Sequence, residues 1–501
     1  MPADRLKPRL FASLSLALLL ASAAAAGLRD DVYEIVQSTD LGGATVGVSV
    51  VEAGSGGTLV EINADQPFIP ASNMKVLTSG AALHTLGPDF RFETKLLLDG
   101  DRLIIVGDGD PAFGDPTLLS AMTDEDGVPL DCERFLQLWV GPVAAADVKE
   151  IRELVVDDRV FDRQFVHPSW DRKQLNLKSF AEPAGLSFHL NMLYFYPEPR
   201  RGERPAISSF EPHADWLRIR NRATSAADDR NSAWIARRFW TNELTMYGNV
   251  KSAYRTPLRV TVHDMPTFFG RLLADRLEDA GLTVHTVRAA DPMEARPEGD
   301  AIGPVIYTPI ASVVTRCNRD SQNLYAESLL KRMGHEMTGQ PGSWLNGSSI
   351  VRHVIHERLE RPDLVHVVRI ADGSGLSRDN RVAPAVLCAW LNSLHDDERL
   401  GEVFLQSLAV GGETGTLGPG RRDNLSTARL GGAIVHAKSG YINGVSCLSG
   451  YVTGSAGRCC CFSILVNDIK GSTWAAKAMQ DRIVKAIADE ISTPATALGS
   501  D

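Results

Sequence analysis

Ser72-Asn73-Met74-Lys75, Ser321-Gln322-Asn323 and Lys438-Ser439-Gly440 occur in that order in a chain of 501 residues. Ser72 precedes Ser321 by 249 positions, and Ser321 precedes Lys438 by only 117. If the three motifs act together, the fold must return three distant segments to one place. The long first gap must then hold inserted material. Pro70-Ala71 leads into the apolar run MKVLTSGAALHTL, which predicts a buried helix that starts at Ser72 and stops near Gly87-Pro88. Residues three apart share a helix face, so the Ser72 hydroxyl and the Lys75 amine meet.

That pairing has a chemical use. An unassisted serine is a poor nucleophile and needs a base beside it. Lysine serves when burial and nearby positive charge lower its pKa, and Lys438 is the expected source of that charge. The start of the helix also aims the Ser72 backbone N–H at a developing oxyanion. In the second motif, Ser321 relays a proton between Lys75 and a leaving group. The Asn323 amide both donates to and accepts from a peptide.

The third motif is the single K-[ST]-G of the chain and lies in a predicted strand, AIVHAKSGYI. Lys438 and Ser439 would hold a carboxylate, and Gly440 would let a backbone approach closely. The Tyr441 N–H would be the second oxyanion donor. A further S-x-x-K, Ser328 to Lys331, falls mid-helix just after the second motif and reads as coincidence.

The length predicts two or three domains. Net charge is −10 and nothing concentrates positive charge, which excludes a nucleic-acid partner. Residues 1–26 read as a secretory signal: Arg5, Lys7 and Arg9, then an apolar run from Leu10 to Leu20, then small residues. No later stretch is long and apolar enough for a membrane anchor, so the protein is expected to act outside the cytoplasm, in the periplasm. The seven cysteines fit no zinc spacing and read mainly as small buried residues, with one or two disulfides left open.

Strands are predicted at 44–53, 57–62, 91–106 as a hairpin turning at Asp99-Gly100, 432–439, 445–453 and 459–466. Helices are predicted at 266–280 and from Trp474, whose buried face is Trp474, Met479, Ile483, Val484, Ile487 and Ile491.

With these motifs in place, the chain resembles the low-molecular-mass penicillin-binding D-alanyl-D-alanine carboxypeptidase/endopeptidase with two inserted domains, the DacB type. Gly107-Asp108-Gly109-Asp110-Pro111, the loop Asp372 to Asn380, Gly415-Thr416-Leu417 and the stretch Lys438 to Tyr451 are also similar to that family. The resemblance implies an α/β fold: a serine β-lactamase/transpeptidase-like domain, an antiparallel sheet flanked by helices, with two inserted mixed, β-rich domains. It places domain I at 27–87 and 301–493, domain II at 88–105 and 186–300, domain III at 106–185 nested in domain II, and a disordered tail at 494–501.

By the same resemblance the substrates are peptidoglycan stem peptides and β-lactams are acylating inhibitors. It requires no metal and no organic cofactor, and it leaves a homodimer open. The family roles fall on Ser72, Lys75, Ser321, Asn323, Lys438, Ser439 and Gly440. Ser439 departs from the commoner Thr but keeps the hydroxyl. Between Trp170 and Pro183, where relatives often carry acidic residues near substrate, only Asp171 and Glu182 are available.

Other candidates carry less. His353, His356 and Glu357 match neither zinc-peptidase order and read as a solvated helix face. His436 reads as structural, and Asp372 to Ser377 reads as either a glycine-rich turn or a cleft wall. The rival functions are a serine β-lactamase and a non-catalytic wall-binding protein of the same fold. The large insert and the serine at position 321, where one β-lactamase class has Tyr, oppose the first. The complete set of reactive groups opposes the second.

Overall fold

The computed structural model describes residues 27–124 and 126–492. The expected signal segment, 1–26, and the tail, 494–501, lie outside the described residues.

The three motifs sit around a six-stranded, wholly antiparallel sheet. Its order is Ala409–Val410, Ile434–Ile442, Val445–Thr453, Cys459–Asn467, Thr45–Glu52, Thr58–Ile62. Successive strand residues face opposite sides, and here both sides are covered. Val46, Val48, Leu448, Cys460 and Phe462 pack against Met479, Ile483 and Ile487 of the helix Trp474–Ser492. Val445, Cys447, Tyr451, Cys461 and Leu465 face the helix Pro384–His395 and the turn at Ser72. The cysteine run at 459–461 is therefore part of a doubly buried strand, and all seven cysteines are free thiols. Trp474 departs from its predicted burial: it opens its helix before the face reaches the sheet, and is 75 % exposed.

A second sheet belongs to the insert. Its order is Val287–Ala289, Glu153–Asp157, Arg102–Val106, Arg91–Asp99, Asp300–Ala301, and Ile306–Pro309 also pairs with Arg91–Asp99. The helices Cys132–Ala145 and Met265–Asp279 cover one face. The strand at 153–157, from the stretch expected as the nested third domain, sits inside this sheet. So does 306–309, from the stretch expected in domain I. Smaller sheets follow: Met192–Glu198 with Ala206–Glu211 and Leu258–Thr261, and Trp234–Arg237 with Leu244–Tyr247 and Ile219–Asn221.

The insert is bolted to the catalytic helices by buried charge. Arg316, on the helix Ile310–Arg319 that leads into Ser321, donates to Asp115 of the insert through Nε at 3.0 Å and through its terminal nitrogen at 2.8 Å. Tyr325 donates to the same carboxylate. The Asp115 side chain is fully buried and that of Arg316 only 10 % exposed. Arg316 also pairs with the partly exposed Asp320 at 2.6 Å, so removing Asp115 leaves the buried arginine half-paired and costs about 3 kcal/mol, the low end for a broken buried pair. Asp115→Ala should lower unfolding free energy by roughly that amount in a urea titration; a change below about 1 kcal/mol, the range of exposed pairs, would show that the bolt carries little.

Candidate active site

Ser72 lies in the 3-10 turn Ala71–Asn73, immediately before the helix Met74–Leu86. Ala71 holds φ at +45°, which tips the turn so that Ser72 stays half-exposed while Lys75 is fully buried. Lys75 Nζ donates to three acceptors. Ser72 Oγ is at 3.1 Å, Asn323 Oδ1 at 2.6 Å and the Ser374 carbonyl at 2.8 Å. Burial disfavours the ammonium and brings its pKa down to about 8, against the pull of Cys317, Glu327 and Asp372. The expected nucleophile and its expected base are thus in hydrogen-bond contact, and Lys75 can lose its proton near neutrality.

Lys438 arrives from the sheet. Ala437 faces the covered side, so period-two alternation turns Lys438 toward the Ser72 helix. Its Nζ donates to Ser321 Oγ at 2.9 Å and to the Ser439 carbonyl at 2.6 Å. Burial, and next the Lys75 charge, push its pKa well below the ordinary lysine value. Burial alone leads the lowering at Lys75, where Lys438 was expected to add its charge; the repulsion between the two lysines falls on Lys438 instead. Buried between them, Cys317 has its thiol pushed up to about 12 by desolvation, so it stays neutral.

Ser321 holds φ at +57°, in the turn before the helix Asn323–Thr338. Its hydroxyl meets Lys438, whereas Asn323 is the residue of this motif that meets Lys75. The Asn323 amide nitrogen donates to the Ser179 carbonyl at 2.9 Å, so a loop of the insert fixes its orientation. Ser439 Oγ donates to Thr416 Oγ1 at 2.9 Å. A Cβ on Gly440 would stand 2.8 Å from Asn73 Oδ1 and 3.0 Å from the Pro70 carbonyl. The close approach Gly440 permits is therefore to the Ser72 turn itself. Strand pairing on the outer edge stops at Ala437, leaving the edge from Lys438 to Ile442 without a strand neighbour among the described residues; Tyr441 there is 60 % exposed.

Several groups at the site carry no signature in a linear motif. Glu327 is fully buried and accepts from the Gly373 and Ser374 amides and from the Trp344 indole. Burial, then Asp372, raises its pKa. Asp372 accepts from the Gly375 and Ser377 amides, the Asn380 amide and the Trp170 indole. These two carboxylates lock the loop that holds the Ser374 carbonyl on Lys75. Gly375, at φ +84°, lies so close to Ala71 that a Cβ would be 1.8 Å from its carbonyl oxygen. Asn73 ties the Ser72 turn to the sheet by donating to Ser449 Oγ at 2.6 Å. Of these groups only the loop from Asp372 was marked in the sequence, by its resemblance to the family.

Other sequence candidates lie elsewhere. Lys331 of the second S-x-x-K donates to Asp162 at 2.6 Å and covers the Trp344 ring, away from Ser328. Glu182 is buried against Arg237 and His263, each at 2.9 Å, so it faces the insert's interior; Asp171 caps a short turn by accepting from the Lys173 amide. His353, His356 and Glu357 are exposed on the helix Trp344–Leu359, and His436 is half-buried beside the site strand.

If neutral Lys75 activates Ser72, the second-order rate of acylation by a fluorescent penicillin should rise with pH through about 8 and level off above it. A rate that is flat from mildly acidic to mildly alkaline pH would remove Lys75 as the base.

Residues 28–490 match the D-Ala-D-Ala carboxypeptidase 3 (S13) family. A D-alanyl-D-alanine carboxypeptidase of Actinomadura sp. (strain R39) is 30 % identical, with 92 % of this chain and 84 % of that protein covered. The D-alanyl-D-alanine carboxypeptidase DacB of Haemophilus influenzae is 22 % identical, with 87 % and 89 % covered. The crystal structure of penicillin binding protein 4 (dacB) from Haemophilus influenzae shares the fold, with a TM-score of 0.71 at 19 % identity, over 92 % of this chain and 99 % of that one. The Ser72–Lys75 pair, the Lys438 strand and the insert between them thus stand in a chain that belongs to the D-Ala-D-Ala carboxypeptidase 3 (S13) family.

Proposed function

We propose that this protein is a serine-type D-Ala-D-Ala carboxypeptidase that cleaves D-alanyl peptide bonds of peptidoglycan stem peptides through an acyl-enzyme, and that penicillin acylates it. The observation that carries this reading is the contact between Lys75 Nζ and Ser72 Oγ inside a buried pocket that also holds Lys438. Neutral Lys75 takes the Ser72 proton, and Ser72 Oγ attacks the carbonyl carbon of the D-alanyl bond. The backbone N–H groups of Ser72 and Tyr441 receive the oxyanion, the latter from the open strand edge. Ser321, which accepts from Lys438, delivers its O–H proton to the leaving nitrogen and takes back the proton that Lys75 removed from Ser72. Water then hydrolyses the ester.

The two buried lysines account for the choice of an anionic chain end. With both ammonium groups disfavoured by burial, and Lys438 further disfavoured by Lys75, the pocket gains most from a ligand that brings negative charge. A terminal carboxylate against Lys438 and Ser439 stabilises the proton on Lys438. Asn323, held by Lys75 and the Ser179 carbonyl, aligns the peptide on the acyl side. Endopeptidase cleavage of cross-linked stems uses the same acyl-enzyme, with the partner stem as leaving group. The leader-like residues 1–26 support work outside the cytoplasm, and no described helix is long and apolar enough to cross a membrane.

Ser72→Ala should abolish covalent labelling by fluorescent penicillin, and the parent enzyme should release D-alanine from pentapeptide muropeptides, read by mass. Retained stoichiometric labelling of the variant would overturn the nucleophile assignment. Rapid turnover of penicillin with intact muropeptides would make the protein a β-lactamase instead. Incubation with cross-linked dimers decides whether endopeptidase cleavage belongs to it.

A further inference from the structure

The insert carries exposed aromatic surface that acyl transfer does not use. The hairpin of Trp234–Arg237 and Leu244–Tyr247 ends in a turn that presents Phe239 and Trp240, 44 % and 57 % exposed. Trp240 holds φ at +59°. A bulky residue in left-handed backbone is costly, and a turn alone would be better served by Gly or Asn. The indole is therefore displayed at the expense of local conformation, which points to a use for the ring.

Trp240 begins a row that leads to the catalytic cleft. Its ring stands edge-on to His263, with centroids 5.5 Å apart, and His263 stands edge-on to Phe165 at 6.0 Å. Four residues on from Phe165, a reach of at most about 14 Å, Ser169 donates to Ser377 at 2.7 Å. Ser377 belongs to the loop whose Ser374 carbonyl holds Lys75. A second tether runs through Glu182. It binds Arg237 at the base of the turn and His263, and lies three residues past Ser179, the anchor of Asn323. The turn is thus fixed to both walls of the site.

The chemistry of the row selects its ligand. Trp240 is 57 % exposed and its one ring contact among the described residues is the perpendicular pair with His263, which leaves ring surface open to a ligand. Such a surface packs against the C–H side of a sugar ring, while hydroxyl and amide groups at the rim reach polar partners. The one cation on the turn, Arg238, is paired with Glu243 at 3.2 Å, so the turn offers no surplus positive charge to an anionic membrane. The stem peptide that would occupy the cleft is attached to a strand of N-acetylated amino sugars.

Building on the peptidoglycan reading above, we propose that Phe239 and Trp240 form a subsite for the glycan strand that carries the scissile stem, continuous with the cleft through His263 and Phe165.

Trp240→Gly tests this, because glycine adopts the turn conformation without strain; Trp240→Phe keeps a ring. On a soluble diacetyl-lysyl-D-alanyl-D-alanine peptide, W240G should match the parent. On uncross-linked glycan strands bearing pentapeptides, its kcat/KM should fall at least fivefold, through KM, with W240F within about twofold of the parent. Stem-free glycan strands should co-sediment with S72A protein and not with S72A/W240G. Equal binding in that last pair, an unchanged kcat/KM on strands, or an equal fall on both substrates would overturn the subsite. So would W240G losing affinity for anionic vesicles while keeping strand binding, which would assign the turn to a membrane. If the parent cleaves neither substrate, the peptidase reading fails, and sedimentation of S72A with strands still decides the subsite.

Discussion

A single buried ammonium holds the catalytic centre together. Lys75 donates to the hydroxyl of the turn that precedes its helix, to a side chain 248 residues on and to a carbonyl 299 residues on. A cation stripped of water is tolerated only when its hydrogen bonds are made, so Ser72, Asn323 and Ser374 must all be in place for Lys75 to be buried at all. The same burial that demands three acceptors also lowers the pKa toward the working range of a base. Structural requirement and reactivity come from one desolvated group.

The supports of those acceptors lie in the insert as much as in the catalytic domain. Ser179 orients Asn323, Trp170 donates to Asp372, and Asp115 anchors the helix that delivers Ser321. The insert is therefore part of the site's scaffold. A β-rich appendage connected only at its ends would leave Asn323 free to turn its amide and lose the acceptor that Lys75 needs.

Much of this was legible in the sequence because it rests on local rules. The i, i+3 pairing of Ser72 with Lys75 follows from helix geometry, and the strand around Lys438 from its apolar alternation. The hairpin at Asp99-Gly100 and the helix ending before Gly281 follow from turn chemistry. What sequence does not carry is which backbone atoms fill a pocket. The Ser374 and Ser179 carbonyls have no side-chain signature, and Glu327 looks like any helix glutamate until its burial against the Gly373 and Ser374 amides is seen. Glu182 shows the converse. Its charge suggested substrate contact, but Arg237 and His263 use it internally. The strand at 153–157 pairs with Arg102–Val106 on one side and Val287–Ala289 on the other, partners remote in sequence that no local rule points to.

The order of strands in the catalytic sheet has a consequence for biogenesis. Thr45–Glu52, among the first segments to be synthesised, pairs along its whole length with Cys459–Asn467, among the last. Contacts so remote in sequence form slowly, since a long loop must close before any of them is made. A growing chain accordingly keeps Ser72 and Lys75 apart from Lys438 until synthesis is nearly complete. A copy ended before Cys459–Asn467 is made has the Ser72 turn and the Lys75 helix but no completed sheet to bring Lys438 against them.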